Sequence, residues 1–278
     1  MALNLIYITN NPAVALIAEK NGVDRIMVDL ETLGKEERQK NMNTVKSHHT
    51  VADVAAVSNV LTNAETLVRV NPWHEGSVAE IEAVIAAGAD RIMLPMWKTA
   101  EEVRCFLETI NRRVQTTLLL ETKEAVQAID EVLEDPLLDE VHIGLNDLHL
   151  SYGLTFMFEL LSNGVVEELC NKFKKKGVPY GFGGIARIGE GTLPAERIVM
   201  EHYRLGSTRT ILSRSFCNVA ELEDISSVES IFSENMARLR MYEKSLSSKS
   251  DADYKENMNA VQGCVAEIVS RIKERKVQ

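Results

Sequence analysis

The chain is 278 residues long, 45% hydrophobic, and carries a formal net charge of −10. That acidity argues against a general phosphate-backbone binder, because affinity for nucleic acid rests on positive surface. No stretch approaches the ~20 apolar residues of a membrane span, and the opening MALNLIYITNNP has no basic leader region. A soluble, cytoplasmic protein that binds neither nucleic acid nor membrane is therefore expected. The cysteines Cys105, Cys170, Cys217 and Cys264 are far apart with no CxxC pair, which suggests neither a zinc site nor a disulfide framework.

Short β-rich runs alternate with helical periods along most of the chain. Leu3–Ile8 reads as the first strand, followed by Asn11-Pro12 and a helix through Lys20. Arg25–Asp29 is the second strand, with a helix over Val51–Leu61. Thr66–Val70 and Arg91–Pro95 are the third and fourth, followed by helices over Val78–Ala87 and from about Ala100 to Asn111. Thr116 to Gly153 holds a strand–helix–strand unit: a buried strand ending in Glu121, an amphipathic helix from Thr122 to about Leu133, and a sixth strand from Glu140 to Gly144. Val165–Lys176 is helical, and its basic run Lys172–Lys176 suits a solvated helix end before Gly177. Tyr180–Gly184 is the seventh strand, Ala195–Tyr203 a helix, and Thr208–Leu212 the eighth strand. Strands apolar on both faces, each followed by a helix, predict an α/β fold, a (β/α)8 TIM barrel over residues 1–224.

Beyond the barrel, Ile225–Leu246 has apolar residues at helical spacing (Ile231, Phe232, Met236, Leu239). After the polar SLSSKSDAD, Tyr254–Lys276 carries a second stripe at Val261, Val265, Ile268, Val269 and Ile272. Residues 225–278 are therefore read as extra C-terminal helices covered by the barrel wall or by a neighbouring subunit. Subunit packing is favoured, and with it a homo-oligomer.

In parallel barrels the carboxyl ends of the strands carry the site. Glu121 and Asp147 reach that edge from neighbouring strands, and two carboxylates there outline a site for a hard cation, Mg²⁺ or Mn²⁺. The same residues would equally serve as caps of a helix and a loop. Asp29 and Glu31 end the second strand and Arg69 lies at the end of the third, so four carboxylates would repel one another unless a metal and Arg69 share the mouth. The Arg69 guanidinium could grip a substrate carboxylate or form an internal salt bridge to Asp29 or Glu31, and the two roles are compatible. His74, in NPWHEG, is either a proton donor or acceptor near the mouth or a polar loop residue, and His149 is ambiguous in the same way. His48, His49 and His202, in or beside helices, and His142, inside a strand, receive no catalytic role. Gly181-Phe182-Gly183-Gly184 would admit a phosphate to the backbone or only permit close packing and a bend.

Several blocks together resemble the HpcH/HpaI aldolase and citrate lyase β-subunit family of pyruvate/phosphoenolpyruvate barrels. GVDRIMVDLETLGKEERQ is similar to the second-strand block, VRVNPW to the arginine strand, and GADRIMLPMWKTAEEV to the fourth-strand block. LLLETKEAV and VHIGLNDLHLSYG resemble the metal-binding strands, and the blocks run in family order from about residue 22 to 153. The resemblance implies Glu121 and Asp147 as ligands of Mg²⁺ or Mn²⁺. It implies Arg69 as the group that binds the keto acid and stabilises an enolate. Arg69, Glu31 and His74 form the expected catalytic set, and Asp29, Pro95 and Asn146 join Arg69 in contacting substrate. Thr32 follows Glu31 where the pyruvate aldolase branch has a histidine, and the loop LGKEERQ is closer to the citrate lyase branch. The implied activity is that of a divalent-metal-dependent carbon–carbon lyase, class II aldolase-like, acting on a 4-hydroxy-2-oxo acid through a pyruvate enolate. The alternatives are a citrate-lyase-like acyl-CoA lyase or thioesterase on the same metal site, and a non-catalytic metal- and oxo-acid-binding barrel. In each case the expected partner is a small-molecule 2-oxo acid or acyl substrate.

Overall fold

The structure, a computed structural model, describes residues 2–34, 49–217 and 224–277. Residues 35–39 of the loop LGKEERQ, and His48, lie outside the described residues. Eight parallel strands close into a barrel in chain order: β1 Asn4–Ile8, β2 Arg25–Asp29, β3 Glu65–Arg69, β4 Arg91–Leu94, β5 Gln115–Leu120, β6 Val141–Ile143, β7 Tyr180–Ile185 and β8 Arg209–Leu212. β8 returns to pair with β1, so the sheet has no free edge. This is the TIM barrel expected from the alternating pattern. The segment after β6 starts with the helix Leu145–Ser151, whose apolar residues Leu145 and Leu148 are buried.

Threonines start three of the helices that follow strands. Thr50 and Thr99 each accept the N3 amide while Asp53 and Glu102 accept back from the cap, and Thr122 accepts from Ala125. The basic end of the helix Val165–Lys176 behaves as expected. Gly177 closes it in the left-handed conformation, Lys172 pairs with Asp130 at 2.8 Å, and Lys176 pairs with Glu134.

Inward-facing residues form layers. Ile6, Met27, Leu67, Met93 and Leu119, joined by Ile211, make an apolar plug across the middle. Below it, at the amino ends of the strands, the layer is charged: Arg25, Arg91, Glu140 and Arg209 come from four alternate strands. A short repeat builds this layer. In GVDRIMVD and GADRIMLP the aspartate caps the preceding strand, Asp24 accepting the Leu5 amide at 2.7 Å and Asp90 the Thr66 amide at 2.8 Å. The arginine that follows each aspartate turns inward. Asp139 does the same for Thr116, with Glu140 in the arginine's place. Glu140 takes both oxygens to Arg25 Nη1 at 2.7 and 2.9 Å, and lies 3.2 Å from Arg209 Nε and 3.6 Å from Arg91 Nη1. Burial would raise its pKa, but the Arg25, Arg209 and Arg91 guanidiniums outweigh burial and lower it.

The helix Ile225–Leu246 packs on Pro12–Lys20, and Asp251–Val277 packs on Ala195–Leu205 and Glu159–Ser162. Val261, Val265 and Ile268 are buried within this chain, so its own barrel helices cover that part of the stripe favoured above for a subunit contact. The last helix starts earlier than Tyr254 because Ser250 and Asp253 cap each other, which shortens the polar link to residues 247–250. Among the described residues, no helix is long and apolar enough to cross a membrane.

Because Glu140 is the carboxylate shared by three buried guanidiniums, Glu140→Gln should cost about 3–5 kcal/mol of stability, measured by urea unfolding at pH 7. The sign with pH follows from the lowered pKa. Glu140's contribution is present above the ordinary carboxylate value of 4.5 and is lost as pH falls through the folded-state value below it. The gap between wild type and variant should therefore narrow only in acid.

Candidate active site

The mouth at the carboxyl ends of β2–β6 is built around a guanidinium. Arg69, the last residue of β3, is in register with Asp29, the last residue of β2. It donates from Nε to Asp29 Oδ1 at 2.9 Å and from Nη2 to Oδ2 at 2.8 Å, a bidentate fork that fixes the plane of the guanidinium. Nη1 lies 3.3 Å from Glu31 Oε2. Burial alone would lower the Arg69 pKa, but Asp29, Glu31 and Glu121 together raise it, so the side chain remains a cation. The salt-bridge reading of Arg69 is thus realised. With two of its five N–H groups committed to Asp29, donors remain on Nη1 and Nη2.

Glu121 follows β5 directly and is buried. The Met96 amide donates to its Oε1 at 3.1 Å, and Met96 adopts φ 52°, a left-handed conformation that costs a non-glycine residue about 1–3 kcal/mol. A Cβ on Gly144 would stand 2.8 Å from Glu121 Oε2, so glycine is what leaves room for this carboxylate. Burial, then the charge of Asp147, pushes the Glu121 carboxyl well above the usual range; Arg69 opposes this and Glu31 adds to it. Asp147 sits in the first turn of the helix Leu145–Ser151. Glu121 does not cap the helix that follows it, since Thr122 does.

Pro95 is buried at the end of β4, beside the Met96 amide, and Asn146 is exposed next to Asp147. The structure does not join His74 to this group. Its Nδ1 accepts the Gly76 amide at 3.1 Å, which ties the ring to the turn before the helix Ser77–Ala86, and its Nε2 faces Glu80 at 3.5 Å without a hydrogen bond. His149 likewise spends Nδ1 on the Leu145 carbonyl at 3.2 Å. His142 is held near the Gly183 carbonyl, its pKa pushed down to about 4 by burial, and His202 stacks on Phe182. The glycines of β7 serve packing: a Cβ on Gly181 would lie 2.4 Å from the Arg209 carbonyl oxygen, and the register shifts between Gly181 and Gly184.

Two residues without an assigned role reach the mouth. His49 accepts the Asp29 amide at Nδ1, 2.9 Å, which puts the proton of the neutral ring on Nε2. Asn71 Oδ1 accepts from the Thr32 and Leu33 amides at 2.9 and 3.0 Å, while its amide donates to Glu80 at 2.8 Å, tying the loop after β2 to β3. Thr32 is therefore held in place. His49 lies 20 residues from Asp29, and no spacing rule would have found it.

The donor set can be tested against a divalent cation. Among the described residues, no group of three or more His, Cys, Asp and Glu side chains is arranged to hold a metal ion. Glu121 and Asp147 offer only hard oxygens, and their mutual repulsion is what an added cation would relieve. Mg²⁺ characteristically takes one or two protein carboxylates and keeps positions for water and substrate. The residues present fit such an ion.

The HpcH/HpaI aldolase/citrate lyase family matches the chain over residues 5–159, more than half its length. The barrel resembles the HpcH/HpaI aldolase from Desulfitobacterium hafniense DCB-2, with 16% identity and a TM-score of 0.61 over 90% of this chain and 95% of that one. It also resembles an HpcH/HpaI aldolase/citrate lyase family protein from Burkholderia cenocepacia J2315, with 15% identity and a TM-score of 0.58 over 82% of this chain and 95% of that one. Citrate synthase SbnG shares 17% identity and a TM-score of 0.57, over 87% of this chain and 95% of that one. At these identities the structural likeness speaks for the fold, and the family match rests on sequence. No curated protein sequence matches the chain significantly.

Burial and the neighbouring carboxylates oppose ionisation of Glu121, so the neutral Glu121→Gln should stabilise the metal-free protein at neutral pH by roughly 0.5–2 kcal/mol. The amide oxygen can still accept from Met96. Thermal unfolding in EDTA reads the gain, and adding Mn²⁺ should raise the Tm of the wild type but not of the variant.

Proposed function

The chain belongs to the HpcH/HpaI aldolase/citrate lyase family, whose members are lyases and generally depend on a divalent metal, and on that premise we propose that it is a metal-dependent carbon–carbon lyase of 2-oxo acids. The observation that carries the reading is one constellation: the buried Glu121 beside Asp147, facing an arginine fixed by a bidentate carboxylate. The substrate class is a 4-hydroxy-2-oxo acid, cleaved to pyruvate and an aldehyde or formed from them.

Glu121 and Asp147 would hold the cation, Mg²⁺ or Mn²⁺. When bound, such an ion supplies Lewis-acid polarisation of a carbonyl oxygen. Arg69 does the rest of the charge stabilisation. Its remaining donors bind the substrate carboxylate or keto oxygen, and its positive charge stands where negative charge develops as the C3–C4 bond breaks and the electron pair moves toward the keto oxygen. Asp29 holds the guanidinium in one orientation, so little reorganisation is needed during reaction. Glu31, 3.3 Å from Nη1, is the carboxylate outside the bidentate grip and is the acid–base group of the set. Pro95, after β4, and Asn146, next to Asp147, would contact the remainder of the substrate.

Exchange of pyruvate methyl protons in D₂O, followed by NMR, tests enolate formation without knowledge of the second substrate. Exchange should require Mg²⁺ or Mn²⁺ and disappear in Glu121→Ala and Asp147→Ala. In Arg69→Lys it should fall about 10²–10³-fold, since lysine cannot keep the fork to Asp29. Exchange that persists in EDTA, or in either alanine variant, would sink the assignment. Metal binding without any exchange would point instead to acyl-CoA chemistry or to a barrel that binds metal and oxo acid without turnover.

A further inference from the structure

The orientation of Arg69 depends on Asp29, and the backbone around Asp29 is tied on both sides. On the β3 side the Leu30 amide donates to the Arg69 carbonyl at 2.9 Å, one residue past the last paired position of β2. On the β1 side the ladder stops early. Ile8 pairs with Met27, and the Thr9 amide donates to the Met27 carbonyl at 3.1 Å, so the next rung of a parallel ladder would carry the Asp29 amide to the Thr9 carbonyl. The chain turns away there, because Asn11 accepts the Ala13 and Val14 amides to start the helix Pro12–Lys20. Asp29 is buried, so its amide needs another acceptor. His49 Nδ1 supplies it at 2.9 Å.

The imidazole is itself placed by its neighbours. Thr50 and Asp53 form the reciprocal cap of the helix Val51–Ser58, with the Thr50 amide on Asp53 Oδ2 at 2.7 Å, and that cap delivers His49 to the end of β2. The ring is neutral, since a nitrogen that accepts an amide carries no proton. It therefore brings no second cation to compete with Arg69 for the Asp29 carboxylate, both oxygens of which lie on the guanidinium.

We propose that His49 is a positioning residue of this site: by closing the β1 side of β2 it fixes the Asp29 backbone, and through the Asp29 carboxylate it fixes the plane of the Arg69 guanidinium. Its importance for reaction rests on the reading of Arg69 as the group that binds the oxo acid, whereas its effect on Arg69 is measured without substrate. His49→Asn keeps an acceptor at nearly the same place, because the amide oxygen and Nδ1 are each bonded to Cγ. His49→Leu accepts nothing. In proton–nitrogen NMR spectra of the metal-free protein, the Arg69 Nε–H should exchange with solvent at least about tenfold faster in His49→Leu than in the wild type, and within about threefold of the wild type in His49→Asn. Metal-dependent exchange of pyruvate methyl protons should fall at least about tenfold in His49→Leu and recover in His49→Asn. In an Arg69→Lys background His49→Leu should cost little more, because the fork it supports is already gone. Unchanged Arg69 Nε–H exchange in His49→Leu, equal losses in the two His49 variants, or a fully additive loss with Arg69→Lys overturns the proposal. A wild type that never exchanges pyruvate protons fails the lyase reading instead, and the Arg69 Nε–H rates then decide the role of His49. If His49→Leu does not fold, His49→Phe, a ring without an acceptor, takes its place.

Discussion

Ile6, Met27, Leu67, Met93 and Leu119 fill the middle of the barrel and offer no partner to a charge, so charged groups inside the barrel can lie only at its two ends. Everything else about the interior follows from how each end meets that constraint. Buried charge is costly unless it is paired, and the pairs form between adjacent strands or across the barrel interior. Arg25 and Glu140, 115 residues apart, are one such pair, and Arg69 and Asp29, 40 apart, are another.

The two ends solve the problem with opposite signs. The amino end is rich in arginine and is organised by one carboxylate, Glu140, which joins three strands' guanidiniums to its own. The carboxyl end is rich in carboxylates and is organised by one guanidinium, Arg69, between Asp29 and Glu31. Asp29 gives up both oxygens to hold Arg69, while Glu121 keeps its place through a single amide from a strained residue, Met96, and a glycine that makes room for it. Stability and chemistry separate along this line. The amino end is held by paired charges, and the carboxyl end stores repulsion that a substrate or cation can release.

Loop geometry serves the same end. Asn71 pins Thr32 and Leu33 through their amides and is itself gripped by Glu80, so the loop after β2 is carried by β3 and its helix. His49 takes the Asp29 amide just beyond the last β1–β2 pairing, which brings an imidazole beside the carboxylate that orients Arg69. His74, the histidine nearer in sequence to the arginine strand, is drawn instead into its own turn.

Much of this was legible without coordinates. Apolar runs such as IMV and LLL that end in a charged residue mark buried parallel strands, and their alternation with capped helices determines a barrel. Strand direction alone then puts Asp29, Arg69 and Glu121 at one edge, since parallel strands end together. What tertiary structure alone decided is who touches whom. The fork between Arg69 and Asp29, the approach of His49, the amide of Met96 on Glu121 and the gathering of Arg25, Arg91, Arg209 and Glu140 all join residues on different strands or loops. Local periodicity encodes which face of an element is buried. Which side chains share that buried space depends on register and closure, and these are settled only when all eight strands pack around one axis.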